Sequence, residues 1–206
     1  MDARTYLELV GLGSFHGLNP AMGWLFAVAI GLQERRRSAV IRSLVPVGAG
    51  HLVSIAVVSI AVLVGASAFT TRVVAIGGGV LLVGYGMWLV LSKRHFRWVG
   101  MRLNPFQLAS WSFLMASVHG AGLMLLPVLL RGRDEGGLGF GTAVVDGVTA
   151  ALVHTVAMVV VAAVIALVVH QFVGVRILRS AWLDLDRVWA WVLVLAGAGT
   201  VAGAFV

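Results

Sequence analysis

Six long apolar stretches dominate this sequence, at positions 6–32, 44–66, 71–92, 106–130, 141–170 and 187–206. A helix that crosses the hydrocarbon core of a bilayer needs about 20 predominantly apolar residues. Only 11% of the residues are charged, whereas soluble domains carry about a quarter. The sequence therefore predicts an all-α integral membrane protein with six transmembrane helices, a multi-pass protein of the cell membrane and, in bacterial terms, of the inner membrane.

The basic residues predict the orientation of these helices. Loops rich in Lys and Arg stay on the cytoplasmic side of a membrane. Eleven basic residues fall on one side of the predicted topology: Arg35, Arg36, Arg37, Arg42, Lys93, Arg94, Arg97, Arg102, Arg176, Arg179 and Arg187. Four fall on the other: Arg4, Arg72, Arg131 and Arg133. Both termini are therefore expected outside and the basic loops in the cytoplasm. The net charge of +7 reports orientation and does not indicate nucleic acid as a partner.

Histidines in the apolar stretches reveal an internal repeat. The pattern Ser-x-His-Gly at 14–17 recurs at 117–120, and His51 has its counterpart in His154. Both pairs are separated by 103 residues, half the length of the chain. With three spans in each half, the second half enters the membrane from the opposite side. The sequence thus predicts a 3+3 inverted-topology repeat, with residues 1–103 and 104–206 as its halves in one membrane domain.

The four repeat-related histidines are His16, His51, His119 and His154, and they are the candidate metal ligands. A polar side chain deep in a membrane is costly unless it faces a partner or a water-filled cavity. One interpretation is that each is a neutral histidine hydrogen-bonded to a neighbouring helix. The other is that the four enclose a transition-metal ion, because neutral imidazole is a ligand for nickel, cobalt, zinc and copper. Their arrangement by the repeat favours the metal site.

Four polar residues are candidate auxiliary groups. Asn19 follows His16 by three residues and would share its face on a helix. Asp146, the one carboxylate deep in an apolar stretch, could coordinate a cation, relay protons, orient a histidine or simply cap its helix. Ser14 and Ser117 begin the two copies of the repeated motif.

Two prolines are predicted to break the first helix of each half. Pro20 and Pro127 lack an N–H, so each would free the carbonyl four residues earlier, at His16 and Leu123. Packing kinks are the alternative interpretation. Four methionines in the same stretches would suit copper(I) but are also common membrane filler, which is the favoured reading: Met22, Met115, Met124 and Met158.

Two short motifs carry a resemblance to a known family. His16-Gly17 with Pro20 in the first stretch, and Gly50-His51 in the second, resemble the lysine-exporter-like superfamily, especially its nickel/cobalt exporter and urease-accessory membrane branches. The resemblance implies a six-helix 3+3 fold and export of metal ions, amino acids or reducing equivalents. The chain has no cysteine, which excludes the thiol-redox branch.

Transport of a divalent transition-metal ion is therefore the leading functional hypothesis, with nickel, cobalt, zinc and copper as candidates. One alternative is a membrane zinc enzyme in which three histidines leave a coordination position open for water. Haem ligation by a histidine pair and export of an amino acid or other small solute are further alternatives. The expected partners are the metal ion or solute and the lipid bilayer, and homo-oligomerisation is left open.

Overall fold

A computed structural model of the protein describes residues 1–68, 71–91, 103–130, 140–172 and 185–205, and these residues form helices and turns without a strand. The predicted all-α class is confirmed for them. The eight α-helices are α1 Ala3–Leu18, α2 Trp24–Glu34, α3 Arg37–Ala68, α4 Thr71–Leu91, α5 Pro105–Val118, α6 Leu126–Leu130, α7 Phe140–Phe172 and α8 Leu185–Gly203. Short 3-10 helices, Pro20–Met22 and Leu123–Leu125, follow α1 and precede α6.

Two of the described helices are long and apolar enough to cross a membrane, judged by length and composition. They cover Arg37–Gly65, within α3, and Phe140–Phe172, which is α7. The other apolar helices are shorter: Trp24–Glu34, Arg72–Trp88 and Leu193–Gly203. The first and fourth predicted spans do not form single long helices, because a helix break divides each of them.

The first apolar stretch is broken between α1 and α2 by local capping. The Asn19 side chain accepts a hydrogen bond from the Ala21 N–H at 2.9 Å and so caps the 3-10 helix that Pro20 opens. Gly23 adopts a φ of 111°, a left-handed conformation that favours glycine, and α2 begins at the next residue. The indole N–H of Trp24 donates to the Leu18 carbonyl at 3.2 Å, so a carbonyl at the end of α1 has a partner.

The connection between the first two apolar stretches is shorter than the sequence predicts. Those stretches, 6–32 and 44–66, leave 33–43 between them, but α2 ends at Glu34 and α3 begins at Arg37. This prediction was wrong because the segment after Arg37 has a buried apolar side: Ala39 and Val40 are both buried. Arg42 also forms an ion pair with Glu34 at 3.0 Å across the turn. The basic positions at 93–102, 131–133 and 176–179 lie outside the described residues.

The long helices α3 and α7 pack against each other in opposite directions. A Cβ added to Gly48 would lie 2.9 Å from Val159 Cγ2, and one added to Gly147 would lie 2.9 Å from Ile60 Cγ1. Later residues of α3 therefore meet earlier residues of α7. The helices α4 and α8 are also antiparallel, because Gly79 approaches Val201 whereas Gly197 approaches Val83.

Each broken helix packs along the long helix of the other half. Gly13 contacts the His154 carbonyl and Gly17 approaches the Met158 carbonyl, so α1 runs parallel to α7. Gly50 contacts the Ala109 carbonyl, and Ser54 is hydrogen-bonded to Ser117 at 2.9 Å, so α5 runs parallel to α3. The two halves are thus interleaved in the fold.

Element boundaries in the two halves correspond at the offset of 103 residues. This offset carries the 3-10 helix Pro20–Met22 onto 123–125, the bounds of the second 3-10 helix. It carries α3 onto 140–171, one residue short of α7. It carries α4 onto 174–194, of which the described part begins at 185. The offset therefore matches the two 3-10 helices and the pair of α3 and α7, whereas α8 ends nine residues beyond the image of α4.

One face of α7 is apolar and exposed over a length comparable to a bilayer. Its exposed side chains recur every four residues: Leu152, Val156, Val160, Val164, Val168 and Phe172. Twenty residues of helix extend about 30 Å, which is the thickness of the hydrocarbon core of a bilayer. Such a continuous apolar surface indicates contact with lipid or with another protein.

The first turn of α1 is closed by Asp2. Its Oδ1 accepts hydrogen bonds from the Thr5 hydroxyl at 2.6 Å and from the Thr5 N–H at 2.8 Å. The hydroxyl bond and then the backbone bond stabilise the charged carboxylate, so the pKa of Asp2 lies below its ordinary value. Asp2 is therefore an N-cap whose strength depends on its ionisation.

Candidate histidine site

Three of the four predicted histidines come together at the contact between α1, α3 and α7. The ring centroids of His16 and His154 are 5.0 Å apart, those of His51 and His154 are 5.5 Å apart, and those of His16 and His51 are 5.6 Å apart. All three side chains are fully buried. Residues separated by up to 138 positions in the sequence therefore form one compact cluster.

The cluster lies near the middle of the two longest helices. His51 is 14 residues after the start of α3, and His154 is 14 residues after the start of α7. At 1.5 Å per residue this places each about 21 Å from the start of its helix. Because the two helices are antiparallel, residues at equal distances from their starts lie opposite each other near mid-helix, as His51 and His154 do. On either side of them the helices approach closely, at Gly48 and at Gly147.

The histidines of α3 and α7 have no hydrogen-bond partners among the described residues. This holds for both ring nitrogens of His51 and both of His154. Each neutral imidazole has one donor and one acceptor nitrogen, and a buried polar atom left unsatisfied costs about 1–3 kcal/mol. Such groups call for a ligand or ordered water at the site, and this argues against the purely hydrogen-bonded interpretation for this pair.

The other two histidines share one local geometry. His16 Nδ1 lies 3.4 Å from the Leu12 carbonyl, and His119 Nδ1 lies 2.9 Å from the Met115 carbonyl. Each ring thus faces the carbonyl four residues earlier, at positions related by the 103-residue offset. A carbonyl can only accept, so Nδ1 carries the proton and Nε2 is the ring nitrogen with the lone pair.

His119 differs from His16 in its place on the backbone. It is the C-cap of α5, followed by Gly120 with a φ of 64°, whereas His16 lies inside α1. His119 is buried and close enough to His16 for an electrostatic interaction, but the three-ring cluster does not include it. The four histidines therefore form a three-plus-one arrangement, in which His16, His51 and His154 are clustered and His119 lies apart from them.

The spacing of the three rings is compatible with a bound metal ion, whereas their orientation is not. In a tetrahedral site with metal–nitrogen bonds of about 2.0–2.1 Å, imidazole centroids lie roughly 5 Å apart, close to the observed spacing. As they are oriented, however, no group of three or more His, Asp or Glu side chains in the described residues could hold a metal ion. The rings of His51 and His154, for example, are stacked within 5° of parallel. The spacing carries more weight, because an imidazole turns about χ2 almost without moving its centroid.

The predicted auxiliary residues fall at different distances from the cluster. Asn19 is buried next to it, at the helix break, rather than on the helical face predicted for it. Ser117 is exposed and hydrogen-bonded to Ser54, and Ser14 is half-buried in α1. Asp146 is half-buried in α7, eight residues or about 12 Å along the helix from His154.

The predicted prolines stand at different points of the two breaks. Pro20 opens the first 3-10 helix directly after α1. Pro127 is the second residue of α6, after the second interruption. The expectation of a free His16 carbonyl was wrong, because it accepts from the Asn19 N–H at 3.0 Å. The Leu123 carbonyl likewise accepts from the Leu126 N–H. In both breaks, 3-10 geometry supplies the donor that the proline lacks.

The four methionines are all buried within apolar clusters. Met158 packs with Trp24 and Leu25, and Met22 and Met115 pack with Trp111. Met124 belongs to the largest apolar cluster of the described residues. These contacts agree with the reading of methionine as filler.

The sequence did not reveal Ser54 and Trp111, which form hydrogen bonds between the two halves near the site, or the acid Glu8 in α1. Ser54, three residues after His51, donates its hydroxyl to Ser117, since the Ser117 hydroxyl itself donates to the Phe113 carbonyl at 2.8 Å. Trp111 donates its indole N–H across the two halves to the Ala21 carbonyl at 3.2 Å. Glu8 stands eight residues before His16, as Asp146 does before His154. Of these three residues, only Glu8 could have been noticed in the sequence, because its spacing from His16 equals that of Asp146 from His154.

No family model matches this chain, and no curated protein or solved structure matches it. The function is therefore argued from the site itself.

Proposed function

We propose that the protein is a multi-pass membrane transporter that moves a transition-metal ion through the cluster of His16, His51 and His154. The observation that carries the proposal is the cluster itself: three fully buried imidazoles with centroids 5.0–5.6 Å apart, drawn from both halves of the chain. Four ring nitrogens of His51 and His154 lack hydrogen-bond partners in the described residues, which a bound ion would satisfy in part.

Six membrane crossings are part of this proposal. The broken segment α1–α2 and α3 run in opposite directions, and α4 returns after a two-residue gap. The second half follows the same order, with α7 antiparallel to α3 and α8 antiparallel to α4. The apolar face of α7, about 30 Å long, supports immersion in lipid. Together these features support an inverted 3+3 repeat, with both termini outside and the basic loops in the cytoplasm.

The location of the cluster supports transport. A site halfway along α3 and α7 lies near the bilayer midplane if these helices cross the membrane, and transporters with inverted repeats bind their substrates there. The two helix breaks flank this level, and irregular backbone at membrane depth is tolerated where it is buried in protein or lines a cavity. This arrangement also fits the metal-exporter branches that the sequence resembles.

Metal uptake by proteoliposomes containing the purified protein tests the proposal. The His51→Ala and His154→Ala variants should each lose most metal-dependent flux, because either removes one of the three clustered rings. His170→Ala is the matched control, since His170 lies on α7 but 16 residues from His154. Lowering the pH should release the metal, because protonated imidazole cannot bind it. Normal flux in both cluster variants would contradict the proposal.

A membrane zinc enzyme is the second candidate, and the three-plus-one arrangement favours it. Three histidine ligands with an open fourth position are typical of catalytic zinc, and His119 would stand apart from the ligand set. In this case the His119→Ala variant should retain metal binding and the His154→Ala variant should lose it. Flux across the membrane would be absent from the wild-type protein.

A further inference from the structure

An open apolar groove runs between α3 and α7. It has a volume of about 250 Å³, and its walls are almost entirely apolar, including Leu44, Val45, Leu52, Val156 and Val160. The three valines are more than half exposed, so they line the groove and also belong to the outer surface. Two of them, Val156 and Val160, are part of the apolar face of α7. The groove therefore opens onto the surface that contacts lipid if α7 crosses the membrane.

One end of the groove leads along α3 to an arginine-rich turn. Arg37, Ile41 and Val45 are spaced by four residues, so they lie on one face of α3. Ile41 and Val45 are both exposed, so this face continues the apolar surface from the groove toward the start of the helix. The turn itself contains Arg35, Arg36 and Arg37, which are all exposed.

This turn has more positive charge than its own acid neutralises. Glu34 is paired with Arg42 at 3.0 Å. Arg36 and Arg37 form no ion pair within the part of the chain that the structure describes. Arginines near a membrane surface attract anionic lipid headgroups, and a guanidinium can hold a phosphate through two parallel hydrogen bonds. The arginine end of the groove is therefore complementary in charge to an anionic phosphate headgroup.

The length from the turn to the far end of the groove matches one phospholipid molecule. Leu44 follows Arg37 by seven residues and Leu52 follows it by fifteen, which gives about 10 Å and about 22 Å along the helix axis. Half of a bilayer, with its headgroup region included, is about 20–22 Å thick. A lipid with its phosphate at Arg37 would thus have its acyl chain in the groove.

We propose that the groove between α3 and α7, together with Arg36 and Arg37, binds one anionic phospholipid, with an acyl chain in the groove and the phosphate on the arginines. The inference rests on the membrane crossings of the proposed function and is independent of the metal ion. A lipid bound in this way contacts both α3 and α7. It should therefore stabilise the contact between the helices that carry His51 and His154.

Native mass spectrometry of the full-length protein in detergent tests the inference. The probes are dioleoyl phosphatidylglycerol, which is anionic, and dioleoyl phosphatidylcholine, which has the same chains and no net charge. Each arginine near a membrane surface strengthens binding of an anionic lipid about fivefold, so two arginines predict a preference of roughly 25-fold for phosphatidylglycerol. The same lipid should also raise the Tm of the protein, because it binds the folded state.

Two variants separate the headgroup from the chain. The Arg36→Gln/Arg37→Gln double variant should bind the two lipids with affinities within about threefold of each other, whereas Arg72→Gln, at the far end of the α3 helix, should keep the preference. Val45→Trp should weaken phosphatidylglycerol binding at least about threefold, because the indole occupies the space of the chain and its packing contacts are lost. Val57→Trp is the matched control, since Val57 is an exposed valine of α3 that does not line the groove.

The possible failures are distinguishable. Equal binding of the two lipids by the wild type would overturn the headgroup site, and unchanged binding in Val45→Trp would overturn the groove. Glycerol 1-phosphate that competes as well as phosphatidylglycerol would show that the arginines bind a free phosphate, which would also overturn the lipid site. Each of these results leaves metal transport standing, whereas lipid binding without metal flux would contradict the proposed function alone.

Discussion

Replacing Gly13 with alanine tests the packing that brings α1 and α7 together at the histidine cluster. A Cβ at this position would overlap the His154 carbonyl oxygen and would lie 3.0 Å from Ala157 Cβ. Carbon atoms pack at about 3.5–4.0 Å. The two helices must therefore separate by roughly 0.5–1 Å, and His16 must move away from His154.

The magnitude follows from two opposing effects. Overpacking typically costs about 1–3 kcal/mol, whereas glycine to alanine within a helix gains up to about 1 kcal/mol in helix propensity. Gly11 is the matched control, because it lies two residues away in α1 and a Cβ there would have nothing within 4 Å. Both variants gain the same propensity term, so the Gly13→Ala variant should be about 1–3 kcal/mol less stable than Gly11→Ala.

Thermal unfolding in detergent, followed by circular dichroism, measures this difference. For a chain of this length the difference corresponds to roughly 2–12 °C in Tm between the two variants. Metal binding should fall at least about 10-fold in Gly13→Ala, because displacement by about 1 Å spoils a ligand geometry. Equal melting of the two variants would show that α1 does not pack on α7 as described.

Three further predictions concern contacts around the site and at the N-terminus. In a double-mutant cycle, Ser54→Ala and Ser117→Ala should show a coupling energy of about 0.5–1.5 kcal/mol, and full additivity in chemical denaturation would disprove their hydrogen bond. Trp111→Phe should lower the free energy of unfolding by about 1–3 kcal/mol, since the buried Ala21 carbonyl loses its donor, and denaturation in detergent should detect it. The stabilisation from Asp2 should be present above pH 3.8, its ordinary pKa, and be lost as the pH falls through its lower folded value. The protection of the Thr5 amide, measured as exchange relative to its intrinsic rate, should then fall in acid for the wild type, and Asp2→Asn, which keeps the cap but not the charge, should remove this pH dependence.

The helical class of the described residues could be predicted from the sequence. Helix content follows from long apolar runs, and the 103-residue offset relates His51 to His154 before any contact is known. The same offset relates the two 3-10 helices in the structure. What the repeat could not provide was the distinction between His16 and His119, which occupy equivalent sequence positions but differ in backbone conformation.

The details of the site depend on contacts between distant segments. Gly11 and Gly13 look equivalent in the sequence, yet only Gly13 meets another helix. The His16 carbonyl was expected to be free, but it accepts from the Asn19 N–H, and the nearby Ala21 carbonyl accepts from Trp111 in the second half of the chain. Periodicity cannot reveal such partners, because they follow from tertiary packing and not from local pattern.

Because the two halves are interleaved, the histidine cluster can form only after both halves have been synthesised. His16 emerges early in synthesis, but α7, on which α1 packs, is made only after more than half of the chain. Contacts between such distant segments form late in folding, because a long loop must close first. The histidine cluster thus cannot assemble from the first half alone. A truncated chain that lacks α7 would have the His16 and His51 side chains but not the cluster.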